Sequence, residues 1–276
     1  MKTMSVLSAL ALSAGLCGAS FGQITGTVML KGKPPEMKQI DAVKTVPACA
    51  MLHKDPVFEE TVVTGDKGEL ANVVVSIKTP EGKDLGTAPT TPAVLDQKGC
   101  MYRPHVVAVM VDQPLEVQNS DPFLHNVHTL SFDNAAVNVG MVNAGKKVLE
   151  PFKAVETFKV KCDVHPWMSA WIRVLDNPYF AVTSADEKSI GTYSIDTKGL
   201  PDGEYSFIAW HEKYGTSPEQ KVKVTGGKAQ VNFTFDAAKK PSAQATPVKE
   251  IHLASANAIA DCPACAAQAT KVAVAK

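Results

Sequence analysis

Along this chain apolar and polar residues alternate with a period of two, broken often by Gly, Pro, Asn and Asp. No stretch repeats its apolar residues at helical spacing over three turns. That pattern directs the chain into β-sheet. Strands are expected at 24–30, 72–78, 105–111, 115–119, 126–132, 156–161 and 169–175, enough for a sandwich. Turn-forming groups such as Lys31-Gly32-Lys33-Pro34-Pro35 and Thr64-Gly65-Asp66-Lys67-Gly68 lie between them and can reverse the chain without strain. After Asn177-Pro178 a second series of short strands begins, at 180–183, 191–195, 203–211, 220–224 and 229–235. Residues 178–236 are therefore expected to form a second, smaller β-sandwich, leaving 23–177 to the first domain. Residues 237–276 hold 14 Ala, 5 Lys and no aromatic residue, too little to bury a core, and are expected to be a flexible tail.

The first 22 residues have the character of a signal peptide. Lys2 supplies a positive start, Met4 to Leu16 is apolar apart from serines, and Ser20-Phe21-Gly22 offers small residues for cleavage before Gln23. Lipidation through Cys17 is the alternative, and Leu16 stands where a small residue would be required. Export to the periplasm or outside the cell is expected, and no later apolar run is long enough to span a bilayer. The full chain balances 28 Lys+Arg against 28 Asp+Glu, with no long basic segment, which argues against a nucleic-acid partner.

Export changes the reading of the cysteines. Cys49 and Cys100 both sit in loop-like surroundings and are expected to pair as a disulfide; the alternative is two isolated thiols. Cys262 and Cys265 form Cys-Pro-Ala-Cys in the tail, and Ala266 stands where covalent haem attachment would need His. A local disulfide or an incidental metal grip with His252 remains open there. Cys162 is left without a partner.

Its neighbours give Cys162 a purpose. In Lys161-Cys162-Asp163-Val164-His165-Pro166-Trp167-Met168 a thiol, an imidazole and a thioether share one loop. A further His from Asp121-Pro122-Phe123-Leu124-His125-Asn126-Val127-His128 would complete a soft, mixed sulfur and nitrogen set. Such a set suits one copper ion that cycles between Cu(I) and Cu(II). Structural zinc would accept Cys and two His but seldom takes Met, and calcium or magnesium would want oxygen ligands. The plainer reading is a buried cysteine beside a core methionine and a surface histidine.

The loop from Cys162 to Met168 resembles the ligand loop of the amicyanin and plastocyanin-type cupredoxins. Leu124-His125-Asn126-Val127-His128 resembles the amicyanin segment that carries the first ligand. The resemblance, over about residues 71–176, implies a Greek-key β-sandwich with a type 1 (blue) copper site. It makes His125, Cys162, His165 and Met168 the ligands and His128 a non-ligand. The whole chain also resembles exported methylamine-utilisation-type proteins that join a cupredoxin to a carboxypeptidase regulatory-like domain, on Pro178 to Thr183 and Ala209-Trp210-His211-Glu212; in those the second part has no peptidase chemistry.

Around the ligands, Asn126 is placed to hydrogen-bond across to the ligand loop near Asp163, and a turn-forming role is its alternative. Pro166 stiffens the loop. Trp167 is expected either in the contact between the domains or on the apolar surface around an exposed edge of His165, the expected electron exit, with Lys146, Lys147 and Lys161 near the docking surface of a soluble or membrane-attached redox partner. His53, His105 and His211 are ligand-like only by residue type. Neither a Gly-x-Ser-x-Gly elbow nor a His-Glu-x-x-His helix occurs, so a one-electron carrier rather than an enzyme is expected. Competing readings are a copper chaperone or sequestering protein, and a cell-envelope interaction module whose copper is structural.

Overall fold

The computed structural model describes residues 22–239. The expected leader with Cys17, and His252, Cys262 and Cys265 of the expected tail, lie outside the described residues. In chain order the elements are β1 (Gln23–Lys31), helical turns α1 (Ala42–Thr45) and α2 (Pro47–Ala50), β2 (Val74–Ile77), β3 (Ala93–Gln97), β4 (Tyr102–Arg103), β5 (Val106–Met110), β6 (Leu115–Asn119), β7 (His125–Thr129), β8 (Asn138–Met141) and β9 (Gly145–Leu149). They continue with β10 (Glu156–Lys161), β11 (Ser169–Leu175), β12 (Phe180–Val182), β13 (Thr192–Asp196), β14 (Gly203–His211), β15 (Gly215–Thr216), β16 (Gln220–Val224), β17 (Ala229–Gln230) and β18 (Phe233–Asp236). The described residues are all-β apart from the two short helical turns, as the period of two requires.

Two sandwiches result. In the first, a sheet ordered β5-β11-β10-β7-β8 faces a sheet ordered β4-β3-β6-β9; β3–β4, β7–β8 and β10–β11 pair within a sheet, and the chain crosses between the sheets after β4, β5, β6, β8 and β9. Their inner faces supply one core that includes Leu95, Val109, Leu115, Val117, Phe158, Val160, Ile172 and Val174. In the second, β13-β1-β17 with β18 faces β12-β2-β14-β15 with β16. Its core holds Ile24, Val28, Val75, Ile77, Ile195, Phe207 and Phe233.

The partition departs from the division expected at residue 177. β1 pairs with β13, β17 and β18, and β2 lies between β12 and β14. The two N-terminal strands thus belong to the second sandwich, which the first interrupts in sequence. The physical reason is that local alternation fixes which side chains face inward but says nothing about which distant strand completes the sheet. Strands β3, β4, β8, β9 and β15 lie outside the expected set. β9 reads Gly-Lys-Lys-Val-Leu with only its last residue buried, and β8 carries an internal Gly, so neither shows an apolar alternation.

Strands buried on both faces join the sandwiches. On β11, Ala170, Ile172 and Val174 enter the first core. Trp171 points the other way, against Val74, Val106, Leu175 and Trp210. The Trp171 and Trp210 rings meet edge to face at 5.6 Å, and the Arg173 guanidinium stands 5.5 Å from the Trp210 centroid. Glu212 accepts from the Trp171 indole N–H at 2.8 Å and pairs with His105 Nε2.

Because Ile24 is fully buried in the second core, Ile24→Ala is expected to cost about 2–5 kcal/mol in denaturant unfolding. Hydrogen exchange should speed up in β13, β14 and β18. Loss of protection confined to β10 and β11 would contradict the placement of β1.

Candidate metal centre

The centre is made where β7 starts and β10 ends. The two strands are antiparallel neighbours with Lys161 opposite His128, so the loop after β10 is delivered beside His125. Two backbone bonds fold that loop back: the Met168 N–H donates to the His165 carbonyl at 2.9 Å, and the Cys162 N–H donates to the Met168 carbonyl at 3.3 Å. The result brings three of the expected ligands together. His125 Nδ1 lies 3.0 Å from His165 Nδ1, Cys162 Sγ lies 3.9 Å from His165 Nδ1, and all three donor atoms fall within 4.8 Å of one another. Met168 is fully buried in the same core cluster as Cys162.

Electrostatics prepares the thiol. Burial pushes the Cys162 thiol up, but a hydrogen bond from His125 and the backbone N–H groups of Asn126, His165 and Val164 outweigh it, so the group sits below its ordinary range. Burial likewise pulls His125 down, while Cys162 and Asp121 more than compensate and raise it. His165 is lowered, by burial first and then by the neighbouring His125. A soft sulfur nearer to its thiolate form and two imidazoles, converging in a buried cluster, are a donor set that fits copper.

Asp121, to which the sequence pattern assigns no role, orients the set. Its carboxylate accepts the His125 Nε2–H at 2.9 Å and the backbone N–H groups of Gly99 and Cys100, each at 2.8 Å. With its Nε2 committed, His125 turns Nδ1 toward Cys162 and His165. Asn119 shapes the approach: its Oδ1 accepts the Asp121 N–H, and its Nδ2 donates to the carbonyls of Phe123 and Met141. A carboxylate four residues ahead of the histidine, in Asp-Pro-Phe-Leu-His, is the signal that could have found it.

Asn126 links the two segments. Its Oδ1 accepts the Asp163 N–H at 2.6 Å, and its Nδ2 donates to Asn138 Oδ1 and Asp163 Oδ2. The Asp163 carboxylate also meets Lys161 and His128, which together hold it well below the usual carboxylate range. Tyr102 donates its hydroxyl to the Asn126 carbonyl at 2.5 Å, beneath the same segment.

The expected exposed edge of His165 is absent: the residue is only 4% exposed. Phe123 and Trp167 flank its ring, with centroids 6.3 and 5.1 Å away. Ile40, Val43, Val46, Cys49 and Val57, from the stretch ahead of the first sandwich, pack into the cluster that contains Cys162 and Met168. The Cys49–Cys100 disulfide fastens that stretch, and Trp167 donates its indole N–H to the Cys100 carbonyl at 3.0 Å. Pro166 and the half-buried Trp167 line a cleft of about 430 Å³ beside Gln39 to Ala42 and Glu59 to Thr61. No local pattern hints at this cover, because its residues lie more than a hundred positions before the loop they shield.

The remaining histidines among the described residues are engaged elsewhere. His53 bonds the Gly99 carbonyl through Nε2 at 2.7 Å, and His128 faces Asp163. His211 stacks on Tyr214 in the second sandwich, and burial, with His105 and Lys213 nearby, depresses it to about 3. Of the expected docking lysines, Lys161 pairs with Asp163 and Lys146 with Glu116.

No family model matches the chain, and no curated protein matches it. Among solved structures it is similar to the Cu-containing nitrite reductase (NirK) from Thermus scotoductus SA-01, at 18% identity over 36% of this chain, with a TM-score of 0.29. The chain spans a quarter (25%) of that reductase's length. It is similar to a methionine-to-alanine mutant of amicyanin, Cu(I), at 20% identity over 37% of this chain and 98% of that one, with a TM-score of 0.29. A purple cupredoxin from Nitrosopumilus maritimus matches at 17% identity over 30% of this chain and 99% of that one, with a TM-score of 0.26.

Removing the Asp121 carboxylate tests the orientation of His125. Asp121→Ala is expected to weaken metal binding by roughly 10–100-fold, with Asp121→Asn losing less, in competition titrations with a chelator. Equal affinity in Asp121→Ala and the parent protein would mean that His125 is held by other means.

Proposed function

We propose that this is an exported mononuclear copper protein of the blue type that transfers one electron at a time, with His125, Cys162, His165 and Met168 as its ligands. The observation that carries the reading is the convergence of Cys162 Sγ with the Nδ1 atoms of His125 and His165 inside a buried cluster, with the thiol held below its ordinary range. When bound there, copper would supply a one-electron couple. The chain's own residues do the rest. Asp121 fixes the ring of His125, Asn126 ties the two ligand segments together, and the packed side chains of Phe123 and Trp167 keep water from His165. Such a frame resists rearrangement when charge changes, which favours rapid transfer. With the His165 edge covered, the half-buried Trp167 ring beside it offers the route outward into the cleft that Pro166 also lines.

The second sandwich, a regulatory-like module in this reading, serves as a binding or structural partner of the copper domain. Its tie to the first sandwich is the Trp171, Trp210, His105 and Glu212 junction.

Copper sequestration is the second reading, and the cover over His165 is what favours it. A carrier should cycle repeatedly between oxidation states without losing metal, whereas a sequestering protein should hold Cu(I) and pass electrons slowly.

Visible and paramagnetic-resonance spectroscopy of the Cu(II)-loaded protein is the test. Intense thiolate-to-copper absorption is expected in the parent protein and its complete loss in Cys162→Ser. Only the weak absorption of a nitrogen and oxygen site in the parent protein would sink the proposal.

A further inference from the structure

The disulfide lies against the proposed centre. The sulfurs of Cys49 and Cys100 and a ring nitrogen of His165 all fall within 4.8 Å of one another, and all three residues are buried. Cys100 Sγ also lies within 4.8 Å of donor atoms of Asp121 and His125. A disulfide that only stapled the preceding stretch to the sandwich would have no need to sit beside both imidazoles.

We propose that Cys49, Cys100 and His165 form a second metal site, selective for Cu(I), that opens when the disulfide is reduced and shares His165 with the Cys162 centre. Two thiolates and one imidazole are a soft, low-coordinate set of the kind that retains Cu(I). The inference rests on the proposed function only in taking His165 as a ligand of the first centre.

The backbone is arranged to keep this set together once the sulfur–sulfur bond is gone. Cys100 is pinned by three contacts that do not involve its sulfur: its own N–H and that of Gly99 on Asp121, and its carbonyl on the Trp167 indole. Cys49 sits in α2, where the Ala50 and Met51 N–H groups bond back to Val46 and Pro47, and the neighbouring Val43 and Val46 are anchored in the core. The His53 ring on the Gly99 carbonyl gives the two segments a further tie.

The opening step is a thiol–disulfide exchange with a dithiol reductant. One of its thiolates attacks a sulfur of the pair and forms a mixed disulfide. Its second thiol then closes the reductant's own disulfide, so two electrons and two protons end on Cys49 and Cys100. Binding of Cu(I) expels those protons as the thiols become thiolates. Because His165 belongs to both sets, metal can be held by one or the other but not by both with full coordination. A reducing cue would therefore move copper from a redox-active set to a retaining one.

The test uses the chain from Gln23 onward with Cys162→Ser to disable the first centre, and with Cys262→Ser and Cys265→Ser to remove the tail thiols. The protein is reduced with a phosphine, freed of it, checked for two titratable thiols and for native circular dichroism, and then titrated with Cu(I) against a chromophoric chelator. Reduction is expected to add roughly one equivalent of bound Cu(I) per chain. That equivalent should be lost on further Cys100→Ser or His165→Ala substitution. No gain on reduction, a gain that survives either further substitution, a bond that the phosphine does not open, or loss of the native spectrum on opening would each overturn the inference in favour of a structural staple. The parent protein, oxidised and loaded with Cu(II), is measured in parallel. Thiolate absorption there with no Cu(I) gain in the reduced variant rejects only the second site, while the converse rejects only the blue-copper reading.

Discussion

A single buried carboxylate organises the cluster of Cys162, His125 and His165. Asp121 accepts a ring N–H from His125 and two backbone N–H groups from the turn that carries the disulfide, so the imidazole and the cover's fastening share one acceptor. Burying a carboxylate is costly unless its oxygens are filled, and here three donors fill them. Asp121 thereby fixes His125 relative to the Gly99 and Cys100 turn, whose Cys100 carbonyl in turn accepts from Trp167 of the Cys162 loop. Without it, one imidazole would be free to present either nitrogen, and the N–H groups of half-buried Gly99 and buried Cys100 would lose their acceptor.

The architecture around that point is discontinuous. The first sandwich is inserted between β2 and β12 of the second, and a small apolar cluster of Val74, Val106, Leu175 and Trp210 lies where they meet. Alternation along β11 and β14 sends one set of side chains into a private core and the other into the shared junction of Trp171, Trp210, His105 and Glu212. The junction is a third apolar cluster between the two cores, so the sandwiches are expected to respond together to changes there.

Much of this was legible in the residues and some was not. The all-β class followed from the period of two, and the loop after β10 with His125 upstream marked Cys162, His165 and His125, whose donor atoms the fold brings together. The disulfide was legible once export was assumed. Asp121 stood in plain view four residues before His125, but an isolated acid in an Asp-Pro turn carries no pattern that separates an orienting group from a turn former. Strand β9, with its exposed lysines, lacked the alternation that marks a half-buried strand. The pairing of β1 with β18 and the cover over His165 depend on contacts between residues far apart in sequence, which no local pattern encodes. The expected exposed His165 edge failed for that reason.

The central claim is that Cys162, His125 and His165 grip one copper ion. Diffraction from crystals of the Cu(II)-loaded protein, collected on both sides of the copper absorption edge, tests it most directly. The account predicts one strong anomalous peak bonded to Cys162 Sγ and to Nδ1 of both histidines. A peak seated elsewhere, or none beside these atoms in fully loaded protein, would contradict it.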